Sequence, residues 1–471
     1  MGIAGLLPVL KSVTRPRHVS AYEGQVAAVD AYCWLHRAAY TCARELCEGG
    51  PTSRYIEYCM HRVRLLRNAG VEPLIVFDGG KLPMKEAEDS GRDRTREEMK
   101  LRAQAHLRAG NKVAAYECFQ KAVDITPAIA KGFIEALKAA GERYVVAPYE
   151  ADAQMAFLSL GGAVDVVITE DSDLLAYGCR KVLFKMDKAG EGQEVCLDDL
   201  PRCRELPFTG FTHSMFVEMC VLAGCDFLKA LPGIGIKKAH ALIRKTRSFD
   251  KACRSLRFGG TPVPRGYEQA FQRALWTFQH QRVFCQARGR MCHLRPLGAG
   301  GLESAARMSV AECLPEGEDG AELRFLGPAH PDDVAQRLAA GDIDPISLEE
   351  FSAEQLAAFR PGAGQHGGAP TGGASRSSGG GAPRRPPPAA TSSARGSSIL
   401  RFLAPSSGMP DLSDPTASRG SAAPRSSSGF GTGGGSGAGE PRGEGGPARP
   451  GASAQASRKA APAAAAAAAA A

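Results

Sequence analysis

Hydrophobic residues in the first half of the chain fall in short continuous runs rather than in strict alternation. Residues 25–30 (QVAAVD), 73–78 (PLIVFD), 144–147 (YVVA) and 165–169 (DVVIT) each read as a buried strand, and 182–186 as a fifth. Such β-branched runs, separated by helical patterns, mark a parallel sheet covered on both faces. Residues 52–68 are amphipathic and close at Gly70, as a helix would. A second helix is predicted from Pro148 through Leu160, closing at Gly161-Gly162. The predicted class is α/β, doubly wound.

The polar positions next to those runs carry the chemistry. Asp30 ends the first run and Asp78 the second; Glu150 and Asp152 follow the third; Asp171 and Asp173 follow the fourth. An open parallel sheet forms its sites beyond the carboxyl ends of its strands, so six acids would converge there. Acids that close stay ionised only beside cations, and oxygen-only ligands select Mg²⁺ or Mn²⁺. Two such ions ~4 Å apart activate water and stabilise the leaving oxygen of a phosphodiester. A lone Asp after a strand is more often a cap; six at four strand ends are hard to read that way.

Three further stretches add to this. Residues 82–109 are strongly helical, and Lys85, Arg92 and Arg96 share one face. On charge pattern alone, a solvated, ion-pair-laced helix is the favoured reading there. Residues 108–126 read as an amphipathic helical insertion. Cys225-Asp226, then LPGIGIKKA (231–239), reads as a helix–turn–helix clamp for a nucleic-acid backbone, its turn amides and Lys237 and Lys238 meeting phosphate.

Composition separates a folded part from a tail. The 471 residues carry 58 Lys+Arg and 50 Asp+Glu, net +8, but residues 361–471 alone contribute +7. Overall basicity is therefore poor evidence for nucleic-acid binding. In that tail, Gly, Ala, Pro and Ser fill 82 of 111 positions, which predicts disorder. All 14 cysteines lie before it without a C-x-x-C pair, which points to buried thiols in a reducing compartment. No apolar run reaches the ~18 residues of a membrane span.

The blocks MGIAGLL (1–7), VAAVDAYCWLH (26–36), VFDGGKLPMK (76–85), VAPYEADAQMA (146–156), ITEDSDLLAYG (168–178) and GCDFLKALPGIGIKKA (224–239) resemble the flap-endonuclease superfamily of structure-specific 5′ nucleases. AYCWLHRAA, VPRGYEQAFQRALWTFQHQRVF (263–284) and GDIDPISLEEF (341–351) are closest to its exonuclease 1 branch.

The resemblance implies a mostly parallel central sheet flanked by helices (a PIN-like nuclease core), a helical arch, a helix–two-turn–helix segment and a disordered tail. The corresponding regions are 1–99 (N-terminal nuclease region), 100–137 (arch), 138–225 (internal nuclease region), 226–352 (helix–two-turn–helix and the end of the core) and 353–471 (tail).

It implies seven metal carboxylates, Asp30, Asp78, Glu150, Asp152, Asp171, Asp173 and Asp226, holding two Mg²⁺ with Mn²⁺ as a substitute. Lys85 and Arg92 would reach the scissile phosphate, overturning the solvated-face reading. Gly2, Tyr32, His36 and Arg96 would lie along the DNA path. Gly233, Gly235, Lys237 and Lys238 would hold duplex, with a K⁺; Ala223 and Ala230 replace small polar residues around that K⁺ loop, and Gly266 replaces an acid. The implied activity is 5′→3′ exonuclease and 5′-flap cleavage of double-stranded DNA at ends, nicks, gaps or flaps. The setting would be nuclear mismatch repair and recombination, as a monomer with no membrane partner. Rival readings are a flap endonuclease, a junction resolvase and, outside enzymes, a DNA-end-binding scaffold. In the tail, Ile399, Phe402 and Leu403 approximate a sliding-clamp peptide, an expected contact for the clamp or mismatch-repair proteins.

Overall fold

A computed structural model describes residues 2–297, 313–314 and 323–357. The tail peptide Ile399, Phe402 and Leu403, and the disorder expected around it, lie outside the described residues. Seven strands form one sheet: β1 (Thr14–His18), β2 (Val26–Asp30), β3 (Glu72–Phe77), β4 (Arg143–Val146), β5 (Val166–Thr169), β6 (Lys181–Phe184) and β7 (Glu191–Cys196), in the order β1-β7-β6-β5-β2-β3-β4. The five central strands from β6 to β4 are parallel, whereas β7 pairs antiparallel with both β6 and β1. A separate hairpin, β8 (Arg282–Cys285) with β9 (Arg290–His293), stands apart from this sheet.

The continuous apolar runs are explained by burial on both faces. Ala28, Leu74, Val76, Val145, Val167 and Val182 point into one core, with helices Ala151–Leu160, His213–Ala223 and Tyr267–His280. Their neighbours Ala27, Val29, Ile75, Phe77, Val166, Ile168 and Leu183 point into the other, with helices Ala31–Ala39, Arg54–Asn68 and Pro127–Ala140. Each fully buried side chain of this size contributes roughly 1.5–3 kcal/mol relative to exposure. Chain order reverses at β2, with β3 on one side and β5 on the other, so β2 and β5 flank the topological switch point.

Several expectations shift. The helix predicted from Pro148 begins at Ala151, because the Pro148 and Tyr149 carbonyls accept from the Gly80 and Gly79 amides at 2.9 and 2.6 Å and are not free to start a helix. Residue 100 lies within one helix, Glu86–Arg108, which is followed by Lys112–Ala122. Helix Pro127–Ala140 follows, with Phe133, Ile134 and Leu137 buried in the same core as Ala115 and Phe119 of the preceding helix. Regular structure also continues past residue 352 in helix Ala353–Ala357. Ser352 and Gln355 cap it reciprocally, a sequence signature of a helix start.

Candidate active site

The acids occupy the carboxyl edge of the sheet, and each is fixed by local chain geometry. Asp30 is the last residue of β2 and caps the helix Ala31–Ala39, accepting from the Tyr32 and Cys33 amides at 2.9 and 3.2 Å. Its other oxygen accepts from the Cys33 thiol at 2.7 Å and the Thr169 hydroxyl at 3.1 Å. Asp78 follows β3 and accepts from the Ala151 amide at 2.7 Å, which ties it to the start of helix Ala151–Leu160, where Glu150 is the cap and Asp152 lies in the first turn. Gly79 is required there: a Cβ would lie 1.9 Å from the Ala147 carbonyl oxygen.

Beyond β5, Thr169 Oγ1 accepts from the Asp171 amide at 3.0 Å, and Asp171 accepts from the Asp173 amide at 2.9 Å. Asp171, Ser172 and Asp173 are buried. Asp226 sits on a turn closed by reciprocal Cys225–Leu228 backbone hydrogen bonds, just past helix His213–Ala223.

The electrostatics show that these acids lie close enough to act on one another's charge. Burial, then the charges of Asp30 and Glu150, push the Asp78 carboxyl up to about 7. Burial with Asp171 and Asp30 raises Asp152 well above the carboxylate range, and burial with Asp171 and Asp226 does the same to Asp173. Asp226 runs the other way: burial would raise it, but Lys85 and Arg92 prevail and hold it low.

Both cations come from the arch. Lys85 Nζ bridges Glu150 at 2.8 Å and Asp226 at 3.1 Å, and Arg92 meets Asp226 at 2.9 Å. Burial opposes the Lys85 charge, yet Glu150, Asp226 and Asp152 keep its pKa well above the ordinary value. The charge-pattern reading of this helix therefore fails for Lys85 and Arg92, which turn inward, and holds for Arg96, which pairs with Asp93 and Asp124 at 3.0 Å each.

Three observations fit a hard divalent cation. The acids named above offer only oxygen. Asp173 Oδ1 is buried without a hydrogen-bond partner. Gly2, with φ +78°, leaves open a space that any Cβ would fill, 2.1 Å from Asp171 Oδ1 and 2.7 Å from Asp173 Oδ1. Among the described residues no three His, Cys, Asp or Glu side chains are already drawn together as a cage. Lys85 lies between two of the acids, Glu150 and Asp226.

The predicted flanking residues fall into two groups. Tyr32 and His36 lie one turn apart on the helix that Asp30 caps, their ring centroids 6.4 Å apart. Burial, then Arg96, lowers the His36 pKa, which leaves its ring neutral. Gly233, Gly235, Lys237 and Lys238 are exposed on the turn that opens helix Ile236–Thr246, anchored by buried Leu231, Ile234 and Ile236. A Cβ on Gly5 would touch Ile236 at 3.3 Å, while Gly2 abuts Asp171. Three residues span at most about 11 Å, so the N-terminal segment ties this turn directly to the carboxylates. Sequence reasoning missed Cys33 and Thr169; both lie inside the quoted blocks, but only their contacts reveal a role.

Fold and site define the class: an α/β protein with acids at the carboxyl edge of its sheet, two of them paired with Lys85 and Arg92. The XPG N-terminal domain family matches residues 1–99 and the XPG I-region residues 141–226, two stretches that together hold all seven acids. Exonuclease 1 from Oryza sativa subsp. japonica is 50% identical over 351 residues, covering 74% of this chain and 40% of that protein. DNA damage-inducible protein DIN7 from Saccharomyces cerevisiae is 32% identical over 355 residues, covering 74% of this chain and 83% of that protein. The solved catalytic core of Rad2 in complex with DNA substrate is 21% identical, with a TM-score of 0.40, over 57% of this chain and 76% of that one. The chain belongs to the XPG nuclease family, in its exonuclease 1 branch. It spans less than half the length of the Oryza sativa relative.

Proposed function

We propose that this protein is a divalent-metal-dependent, structure-specific 5′→3′ exonuclease for double-stranded DNA with 5′-flap endonuclease activity, acting in nuclear DNA repair. The observation that supports this is the pairing of Lys85 with Glu150 and Asp226, and of Arg92 with Asp226, beside acids that follow the strands of one sheet. The names of its relatives, exonucleases and a DNA damage-inducible protein, support the same reading.

Asp30, Asp78, Glu150, Asp152, Asp171, Asp173 and Asp226 would hold two Mg²⁺, or Mn²⁺, which when bound supply an activated water and neutralise charge on the phosphodiester. The chain's own groups do the rest. An incoming phosphate competes with Glu150 and Asp226 for Lys85 and Arg92, so substrate binding releases those two acids as it recruits the cations to developing negative charge. Tyr32 and His36 flank the entry, and the neutral His36 ring adds no charge to compete for phosphate.

Helix Ile236–Thr246 turns its first amides and Lys237 and Lys238 to solvent, where they would grip the backbone of uncut duplex without reading its bases. A K⁺ at that turn would rely on backbone carbonyls, since Ala223 and Ala230 offer no side-chain oxygen. Selectivity would follow from fraying, which costs a few kcal/mol and least at an end, nick or flap.

The test is a recessed 5′ end, labelled at that end and incubated with Mg²⁺. Early release of labelled mononucleotides or short oligomers is expected, lost with EDTA and with Asp173→Ala while DNA binding persists. One clean cut on a flap with no attack on the recessed end would mark a flap endonuclease instead. No cleavage of either would leave an end-binding protein.

A further inference from the structure

Asp30 is saturated. A carboxylate offers about four lone-pair sites, and four protein donors point at this one: the Tyr32 and Cys33 amides on Oδ1, and the Cys33 thiol and Thr169 hydroxyl on Oδ2. A metal ligand needs a free lone pair, so at least one donor must withdraw when a cation arrives. The two amides belong to the first turn of the helix Ala31–Ala39 and move only with it. The Thr169 hydroxyl is committed on both sides, donating to Asp30 and accepting from the Asp171 amide. That leaves the Cys33 thiol, which is the weakest donor of the four. It has somewhere to go: Thr169 Oγ1 lies 3.7 Å from Sγ, and the Glu170 amide donates to the sulfur at 3.3 Å.

We propose that Cys33 is a placeholder donor for metal loading, which occupies Asp30 Oδ2 in the metal-free protein and yields it to the divalent cation. Thr169 is the permanent brace, linking the end of β2 to the acids beyond β5. A serine at position 33 would hold Asp30 too well, because a hydroxyl donates more strongly than a thiol and would resist displacement. Removal of the donor leaves the lone pair open. The inference rests on the nuclease reading of the same site.

Calorimetric titration of the DNA-free protein with Mg²⁺ tests it. Cys33→Ser is expected to weaken Mg²⁺ binding several-fold and to raise the Mg²⁺ concentration for half-maximal cleavage by a similar factor, with little change in rate at saturating metal. Cys33→Ala should bind Mg²⁺ at least as tightly as wild type, and Thr169→Val should weaken it. A second readout needs no folded variant beyond a blank: the infrared S–H stretching band that Cys33→Ala deletes should shift on adding Mg²⁺. A Cys33→Ser protein matching wild type in Mg²⁺ affinity, or an unmoved S–H band, overturns the placeholder role alone. A wild-type protein that neither binds Mg²⁺ nor cleaves a recessed end overturns the nuclease reading with it.

Discussion

Asp173 shows what a cation site costs a single residue. Its carboxylate is buried, one oxygen has no partner, and burial with Asp171 and Asp226 pushes its pKa well up. Without a cation, this side chain opposes folding. Asp173→Asn keeps the shape and removes the charge, so the variant should melt a few degrees above wild type in EDTA. That corresponds to about 1–2 kcal/mol at the 2–4 °C per kcal/mol usual for domains of 150–250 residues. Saturating Mg²⁺ should then raise the wild-type melting temperature and narrow or reverse the gap, because a ligand that binds only the native state stabilises it. A wild-type protein already the more stable of the two in EDTA would remove the charge-repulsion account.

At the scale of elements, the 231–238 turn and the β8–β9 hairpin each carry a prediction. Lys237 projects from the first turn of helix Ile236–Thr246 and is exposed. Lys237→Glu should weaken duplex binding for all sequences alike and reduce the slope of log K against log[salt] by about 1. An unchanged slope would take the turn out of the DNA path.

The hairpin carries His293, whose Nδ1 meets the His280 carbonyl at 2.6 Å. Burial is the main force lowering its pKa, from 6.5 to about 4. Between those values the unfolded chain binds more protons than the folded one. The contribution of this histidine is therefore fully present above pH 6.5 and lost as pH falls toward 4. Urea unfolding across that window should show a shallower pH dependence for His293→Gln than for wild type; identical slopes would assign the acid sensitivity elsewhere.

Across the whole molecule, what was legible in the sequence follows burial. The strands β2 to β6 announce themselves because both faces are covered, so their inner positions are apolar and polar residues stand only at their ends. The strands β1 (TRPRH) and β7 (EGQEVC) do not, since they run antiparallel at one side of the sheet and are largely polar. Six acids were readable from their places after strands. Asp226 was not, because it follows a helix, and only the family resemblance supplied it. The inward turn of Lys85 and Arg92 contradicts the charge pattern of their own helix and depends on acids brought in from far along the chain. Cys33 and Thr169 were invisible as functional residues, for their role is a meeting across the switch point.

One feature of the sheet's margin bears on how the protein lives in solution. β1 is an outermost strand, and its middle residues Arg15, Pro16 and Arg17 are exposed. A bare strand invites a neighbouring molecule to add its own. Proline lacks the amide such an addition needs, and two arginines repel a second copy of the same strand. That margin therefore needs no helix to cover it. Pro16→Val should reveal the cost of losing this guard as faster sheet-type aggregation, with the melting temperature little changed.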